Sequence, residues 1–553
     1  MNGRRRARIV RLLPYAAVLP PLLAMGLLAI RYGATVPSVE QLQYVPIMRA
    51  VFLEHGWNVH NLFWQQPTSD HITFFPLLAE LLWARLSGWN IGAELVLTPL
   101  LALFNAFLLL RFAGKLGGFP EPWRKTALAF TLGLLLFTGR QWSAWTWSMN
   151  SLFLFIPACC LLSLTLLSHE RSGWKHFWIA AVICTVATFS FGNGIATWFS
   201  ALPLLVLDWR EPRRRLRLPL WLLVAGGCAA LYLSQYHSPG TVELLPAGLR
   251  ASWIHISEFF CVLWGQQLIA QEDVAVWLGR LVLALGIVLL CQLPRKGQHG
   301  RISAALWGAF VFTGVSAVLI AWSRVTLGLH FALESRYGGV MAVGLGVTAM
   351  LLLRKLNPLW TALLASALLL LWLNGFADDV RFAFGQHSLL TRGKACLETY
   401  AIASDDCLGI LYFNQGPYVR EQAKTLEELG YLQRWAPPAD MRWERADSGA
   451  GLFESMSNRS WGHPSWYAQG WAARPGCTDV KILLTAGPEH RLVGVTYALQ
   501  GHPEMARPFT GCPALGWSLV LNDDVMRTVS PKTLEAWIYD EAEHRALRLP
   551  RKF

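Results

Sequence analysis

Two acidic side chains follow the first apolar segment of the chain and could act on a substrate at a membrane surface. Glu40 lies in PSVEQ, and Asp70 with His71 lies in SDHITFFP. A carboxylate there could take the proton from an attacking hydroxyl, with His71 as its partner, or bind a divalent cation such as Mg²⁺ or Mn²⁺. Helix capping is the alternative. Ser38 and Gln41 could form a capping box around Glu40, and Asp70 could be the N-cap of the following helix.

A second group between residues 323 and 339 combines two arginines with imidazole and phenol side chains. Its members are Arg324, His330, Arg336 and Tyr337. Guanidinium groups bind phosphate through paired hydrogen bonds, although an arginine at a membrane interface can also simply extend into water or pair with Glu334. We expect Arg336 to bind phosphate, because most other basic residues fall in loops predicted on the opposite side of the membrane.

A third group, in RQWSAWTWSMN, contains Trp142, Trp145 and Asn150. A sugar ring could stack on an indole face, and the amide could orient a hydroxyl. Tryptophans of an aromatic belt at the membrane interface are the more common alternative. A further short motif, Gly192-Asn193-Gly194, is expected to form a tight turn rather than a phosphate-binding loop.

The composition indicates an integral membrane protein with a soluble tail. Of 553 residues, 54% are hydrophobic and 15% are charged, whereas soluble domains contain about 25% charged residues. Apolar runs extend to about residue 375. The net charge of +13 does not indicate a nucleic-acid-binding protein, because the basic residues form short clusters between apolar segments.

We predict a mainly α protein, a polytopic membrane helix bundle of about eleven spans, since a span needs about 20 apolar residues. The candidate stretches are 12–31, 91–113, 126–139, 151–168, 177–194, 195–209, 218–236, 274–293, 302–322, 338–353 and 357–374. The five arginines before residue 12 and the clusters in alternate loops place the N-terminus in the cytoplasm. The first span is expected to be retained. Residues 32–90 then form a long first extracytoplasmic loop of a 1–376 domain.

The tail is expected outside the cytoplasm and in two parts. Residues 377–450 suggest a small α/β segment, with CLGILYF as its strand, and residues 451–553 suggest a small β-sandwich. The sandwich could be a structural cap or a carbohydrate-binding module. Cys396, Cys407, Cys477 and Cys512 suggest two disulfides in an exported region. Three connectivities are possible, and proximity favours joining the first pair and the last pair.

The architecture up to about residue 375 and three motifs resemble a known superfamily. The motifs are SDHITFFPLLAELLWARLSGWN, FGNGIATW and ESRYGG. They are similar to a poorly characterised bacterial group of the GT-C integral-membrane glycosyltransferases. One departure is that Glu40 stands alone after the first span, where the superfamily often has two acids.

The resemblance implies transfer of a sugar from a polyprenyl-phosphate donor on the outer face of the bacterial inner membrane. It implies Glu40 or Asp70 as the base and Arg336 as a contact to the donor phosphate. The acceptor would be a glycan, a lipid or a protein, with membrane lipid around the spans and the tail in the periplasm. No cofactor is certain, and a divalent cation is the one candidate.

A transporter or flippase of a lipid-linked saccharide is the alternative function. Transporters usually bury ionisable groups near the middle of the membrane. The predicted spans contain few acids or lysines, and Arg280 is the main exception. A non-catalytic anchor for the tail is a third possibility, but an anchor would not need so many spans.

Overall fold

The structure is a computed structural model. It describes residues 13–56, 71–209, 211–212, 214–236, 249–294, 297–445, 450–461, 463–473, 480–501, 515–521 and 523–553. Asp70, Cys477 and Cys512 lie outside these ranges, so their predicted roles stay predictions.

The described residues contain fifteen helices of eight or more residues. They are α1 Leu19–Tyr32, α2 Val45–Phe52, α3 Phe74–Ser87, α4 Leu97–Leu116, α5 Pro122–Leu136, α6 Leu152–Leu167, α7 Trp174–Thr188, α8 Leu202–Trp209, α9 Arg217–Gln235, α10 Leu249–Gly265, α11 Glu272–Cys291, α12 Gly297–Arg324, α13 Gly338–Leu353, α14 Pro358–Glu398 and α15 Gly416–Glu428.

Eight helices, counted over the described residues, are long and apolar enough to cross a membrane. They contain α1, α4, α6, α9, α11, α12, α13 and α14. The chain is therefore a multi-pass membrane protein, but the expected eleven spans were too many. The stretches 126–139 and 177–194 form α5 and α7, which have 15 residues each. Such helices are about 22 Å long, less than the hydrocarbon core of about 30 Å. The stretch 195–209 breaks at Ala201.

The chain divides into two compact units. The described residues of the first fall within 13–33, 71–82 and 92–384. Those of the second fall within 34–56, 83–91 and 385–553. The predicted first loop is thus divided, since its early part packs with the tail.

Basic loops that we predicted on one side of the membrane meet at one end of the first unit, here called the arginine end. Arg301 and Arg217 bind Asp208 at 2.6 and 2.9 Å. Arg124, in the first turn of α5, donates to the carbonyl of Arg354 at 3.2 Å. The grouping agrees with the predicted alternation of loops.

The second unit joins residues after α1 to the helical part of the tail. The Val39 amide donates to the Leu411 carbonyl at 2.8 Å, and Gln43 Nε2 donates to the Tyr412 hydroxyl at 2.9 Å. The predicted strand CLGILYF is wrong, because residues 405–409 form a helix that the Ser404 side chain caps. A Cys396–Cys407 disulfide confirms the first predicted pair.

Two sheets form the rest of the tail. One has the order β1-β9-β8-β4-β5 and the other β2-β3-β7-β6. Their bounds are β1 Arg442–Arg445, β2 Gly451–Trp461, β3 His463–Ala472, β4 Val480–Ala486, β5 Arg491–Ala498, β6 Gln500–Gly501, β7 Leu515–Leu521, β8 Leu534–Asp540 and β9 Arg545–Arg548. The sheets meet where Thr496 Oγ1 donates to the Ser518 carbonyl at 3.0 Å. The predicted β-sandwich is correct, although β1 and β2 were not predicted.

Candidate functional site

A row of aromatic rings joins His71, Phe191 and Tyr337, which are far apart in the sequence, through Phe153 of α6. The ring of His71 lies 4.0 Å from that of Phe191. Phe191 lies 4.9 Å from Phe153, which lies 5.8 Å from Tyr337. The guanidinium carbon of Arg336 is 5.4 Å from the Tyr337 ring. The three motifs quoted for the family resemblance therefore meet in one place, here called the motif end of the first unit.

Glycines of two motifs allow these close contacts. A Cβ at Gly192 would lie 2.8 Å from His71 Nδ1, and one at Gly339 would lie 2.6 Å from the Phe153 carbonyl oxygen. Both distances are too short for a real Cβ, so a side chain there would displace its neighbour. The predicted tight turn at 192–194 is confirmed, since the Gly194 amide donates to the Phe191 carbonyl at 2.7 Å.

The segment before α13 places the predicted phosphate-binding residues differently. Arg336 is partly exposed, and its Nε lies 4.0 Å from Glu334 Oε2. Tyr337 is buried in the aromatic row. Arg324 ends α12, whereas His330 is exposed and packs 4.6 Å from Phe331. Of these four residues, only Arg336 and Tyr337 belong to the row of rings.

The turn after α5 also reaches the motif end, because the Ser335 hydroxyl donates to the Ser143 hydroxyl at 2.5 Å. In this turn Trp145 is fully buried, with its ring 6.1 Å from Phe137. Neither of its faces is available to a sugar in this structure, so it serves as a core residue. Trp142 is half-buried, and its ring lies parallel to Phe382 at 6.4 Å.

Asn150 is buried at the end of the same turn. Its main-chain N–H donates to the Trp147 carbonyl at 3.1 Å. The neighbouring Ser148 hydroxyl donates to Glu94 Oε2 at 2.7 Å. Glu94 is a buried carboxylate that the sequence analysis did not single out, because it falls inside a stretch assigned to a span.

A buried ion pair is the main feature that the sequence did not predict. Arg140 Nη1 lies 3.5 Å from Asp379 Oδ1, and both side chains are largely buried. A Cβ at Gly139 would lie 2.7 Å from Asp379 Oδ2, and one at Gly375 would lie 2.7 Å from Arg140 Nη2. Glycine at both positions therefore lets the pair form. Asp379 was missed because it follows the last apolar run, where we expected the tail to begin.

Buried amides lie beside this pair. Gln141 Nε2 donates to Gln267 Oε1 at 3.3 Å. Among the described residues, Nε2 of Gln267 and Oδ2 of Asp379 have no hydrogen-bond partner. Buried polar atoms in proteins are nearly always paired with protein or ordered water. The motif end therefore offers free donors and a free carboxylate oxygen to water or a ligand.

The cavity at this pair is small. It is lined by Thr138, Arg140, Gln267 and Trp372, and its volume of about 10 Å³ suits one water molecule rather than a sugar. Trp372 Nε1 closes one side by donating to the Phe137 carbonyl at 2.8 Å.

Glu40 lies in the second unit, half-buried in the 3₁₀ helix Val39–Tyr44. The Ser38 side chain does not make its half of the capping box that was the alternative explanation for Glu40. The Gln41 amide donates at 3.1 Å to the Ser38 carbonyl, and the Ser38 side chain makes no capping bond within the described residues.

Asp70 lies outside the described residues. The helix it was expected to cap, α3, begins at Phe74, where the Leu77 amide donates to the Thr73 carbonyl at 2.9 Å. Within the described part of the chain, no three or more His, Cys, Asp or Glu side chains are grouped so that they could hold a metal ion.

Comparisons with known proteins gave one kind of match. No protein-family model matches the chain, and no curated protein matches it either. Among solved structures, it is similar to ArnT from Cupriavidus metallidurans bound to undecaprenyl phosphate, with 13% identity, 78% of this chain and 82% of that chain covered, and a TM-score of 0.38. It is also similar to apo ArnT from the same organism, with 14% identity, 77% of this chain and 76% of that chain covered, and a TM-score of 0.36. A likeness this weak carries no argument about function.

Proposed function

We propose that this chain is a membrane glycosyltransferase of the GT-C type. It would move a sugar from a polyprenyl-phosphate donor to an acceptor on the outer face of the bacterial inner membrane. The observation that carries the proposal is the meeting of His71, Phe191 and Tyr337 in one row. Three motifs chosen for their resemblance to one superfamily would have no reason to converge if the resemblance were accidental.

The donor phosphate would bind at Arg336. Its guanidinium lies over the Tyr337 ring and its side chain is 29% exposed, so a lipid phosphate can reach it. A planar guanidinium contacts two phosphate oxygens at once. Arg140 would add positive charge at the same end of the bundle, where its partner Asp379 already neutralises part of it.

The acceptor hydroxyl would be activated by a carboxylate, either Glu40 or Asp70. The acceptor oxygen bonds to the anomeric carbon, the bond from that carbon to the phosphate oxygen breaks, and the hydroxyl proton passes to the carboxylate. Arginine stabilises the negative charge that develops on the departing phosphate. A divalent cation at the phosphate would serve the same purpose, and activity after chelation with and without added Mg²⁺ tests whether one is used.

The decisive experiment compares surface glycans of a deletion strain with those of its parent by mass spectrometry. Loss of one sugar residue, restored by the wild-type gene but not by Arg336→Lys, supports the proposal. Arg280→Lys is the matched control, because Arg280 also lies over an aromatic ring, 4.7 Å from Trp277, but in α11. Unchanged glycans contradict the proposal. Accumulation of the intact lipid-linked saccharide in the cytoplasmic leaflet would indicate a flippase instead.

The orientation in the membrane is part of the same proposal. The arginine end would face the cytoplasm, and the motif end and the tail would face the periplasm, following the distribution of basic residues. Reporter fusions after Arg217 and after Phe376 should give opposite compartment signals. Identical signals contradict this orientation.

A further inference from the structure

An open cavity lies on the five-stranded sheet of the tail, within the second unit. Its volume of about 430 Å³ is in the range of small-molecule sites, roughly 300–1,000 Å³. It is lined by side chains of β1, β8, β9 and the turn between β4 and β5, among them Trp443, His490, Glu535, Trp537 and Arg548.

Three aromatic rings that pack against one another form one wall. The Trp443 and His490 rings are nearly parallel, with centroids 4.3 Å apart. Trp537 stands edge-on to Trp443 at 4.8 Å, and its Nε1 is fixed by a 2.8 Å hydrogen bond to Thr485 Oγ1. The indole of Trp443 is only half-buried. The wall is therefore rigid, with a large ring at its edge that remains accessible.

The turn that carries His490 has unusual backbone geometry. His490 has a φ of +50°, a left-handed conformation that is uncommon for residues other than glycine, although histidine, asparagine and aspartate adopt it more often than the rest. Its ring is held between Trp443 and Glu535, whose Oε2 lies 3.8 Å from His490 Nδ1. Such conformations persist where the surroundings impose them and are often found at ligand sites.

The polar groups of the cavity balance in charge. Glu535 Oε1 binds Arg548 Nη2 at 2.6 Å. Arg445 and Glu444, on the exposed edge strand β1, complete the charged lining. Arg445 is in register with Arg548 across β1 and β9. Two acids and two arginines leave no net charge, which disfavours an anionic ligand and suits one that both accepts and donates hydrogen bonds.

We propose that this cavity binds one neutral sugar unit of a glycan. The C–H face of the ring would pack on Trp443, since aromatic faces carry partial negative charge and bury apolar surface well. The hydroxyls would donate to Glu535 and accept from Arg548 and Arg445. This inference does not rest on the proposed transferase activity, because it concerns the sheet alone.

The test uses the full-length protein in detergent micelles on an array of defined neutral and acidic oligosaccharides. Wild-type protein should bind neutral members in preference to uronic acids and phosphorylated sugars. Trp443→Ala and Glu535→Gln should each weaken binding by about tenfold or more, the first because the ring that packs on the sugar is lost and the second because a charged hydrogen-bond acceptor is lost. Trp443→Phe should keep most of the binding, because a ring remains.

Trp471→Phe is the control, since Trp471 lies on β3 of the other sheet. Thermal unfolding of each variant separates lost binding from lost folding. The proposal is overturned if wild-type protein binds no neutral oligosaccharide, if it prefers anionic ones, or if folded Trp443→Ala binds as well as wild type. Arg336→Lys should bind the array normally, so failure here and failure of the proposed transferase function are distinguishable.

Discussion

The two ends of the helix bundle both bury charge, but they do so in different ways. At the arginine end, Asp208 receives Arg301 at 2.6 Å, Arg217 at 2.9 Å and Arg214 at 3.4 Å. Each arginine also donates to a main-chain carbonyl, those of Leu167, Ser172 and Glu170 respectively. This network ties loops together and pairs both oxygens of the carboxylate, although Nε of Arg217 and Nε of Arg301 have no hydrogen-bond partner among the described residues.

At the motif end, Asp379 faces a single arginine at 3.5 Å. Its Oδ2 and the Nε2 of the nearby Gln267 lack partners among the described residues. A buried polar group left unpaired costs roughly 1–3 kcal/mol, so such an arrangement persists where something else requires it. The comparison suggests that the arginine end is built for stability and the motif end for binding.

The largest expected effect is on stability at the arginine end. Asp208→Asn leaves the largely buried Arg301 and Arg217 without an opposing charge, which should cost about 3–5 kcal/mol and lower the amount of folded protein. Unfolding in detergent, followed by temperature, measures it. Glu211→Gln is the control, because Glu211 binds Arg214 at 3.1 Å but is 55% exposed. A similar loss from both variants contradicts the assigned role of Asp208.

The next effect concerns the base. Glu40→Gln or Asp70→Asn should lower turnover by about 10²–10⁴-fold, the usual contribution of general-base assistance. Protein level should not change. Single-turnover transfer from a polyprenyl-phosphate sugar measures the loss. If both carboxamide variants retain full activity, neither acid is the base.

The same conservative change at the motif end should affect activity more than stability. Asp379→Asn keeps the shape of the side chain, and its amide oxygen can still accept from Arg140. We expect a smaller loss of stability than from Asp208→Asn, because one arginine rather than two loses its opposing charge. Transfer should fall clearly, because the charge balance at the site changes. A variant as unstable as Asp208→Asn would remove the proposed difference between the ends.

The smallest effect lies outside the bundle. The hydrogen bond from Tyr400, with the nearby Arg434, lowers the pKa of Glu427 below its ordinary 4.5. A carboxyl whose pKa is depressed in the folded state stabilises the fold above about pH 4.5, and this contribution disappears as pH falls through the lowered value. The melting temperature of wild type should therefore fall slightly more between pH 6 and pH 3 than that of Glu427→Gln. If the melting temperatures of the two proteins fall equally between pH 6 and pH 3, the prediction is wrong.

The sequence allowed the membrane character, the tail sandwich and the Cys396–Cys407 pair to be predicted, because each depends on local composition or spacing. It overestimated the number of spans. Apolar composition does not show where a helix stops: α7 stops before the Phe191 turn, and α5 stops before Phe137. The strand expected at CLGILYF failed for a related reason, since a short apolar run is compatible with either helix or strand.

The candidate site was predictable only in part. Residue type alone identified His71, Arg336 and Tyr337. Their meeting through Phe153 and Phe191 depends on packing between distant segments, which one sequence does not reveal. Asp379 could have been noticed as a carboxylate on the continuation of a spanning helix. Its partner Arg140 depends on the approach that Gly139 and Gly375 permit.

The pairing of residues after α1 with the tail has a consequence for biosynthesis. Gln43 and Tyr412, which are joined by a hydrogen bond, are separated by 369 positions in the chain. At about 5–20 residues per second, the early segment waits roughly 20–70 s before its partner has been synthesised. During that interval its apolar side chains Leu42 and Tyr44, both buried in the finished fold, have no tail to cover them. Holding chaperones and proteases therefore compete for this segment before the protein is complete.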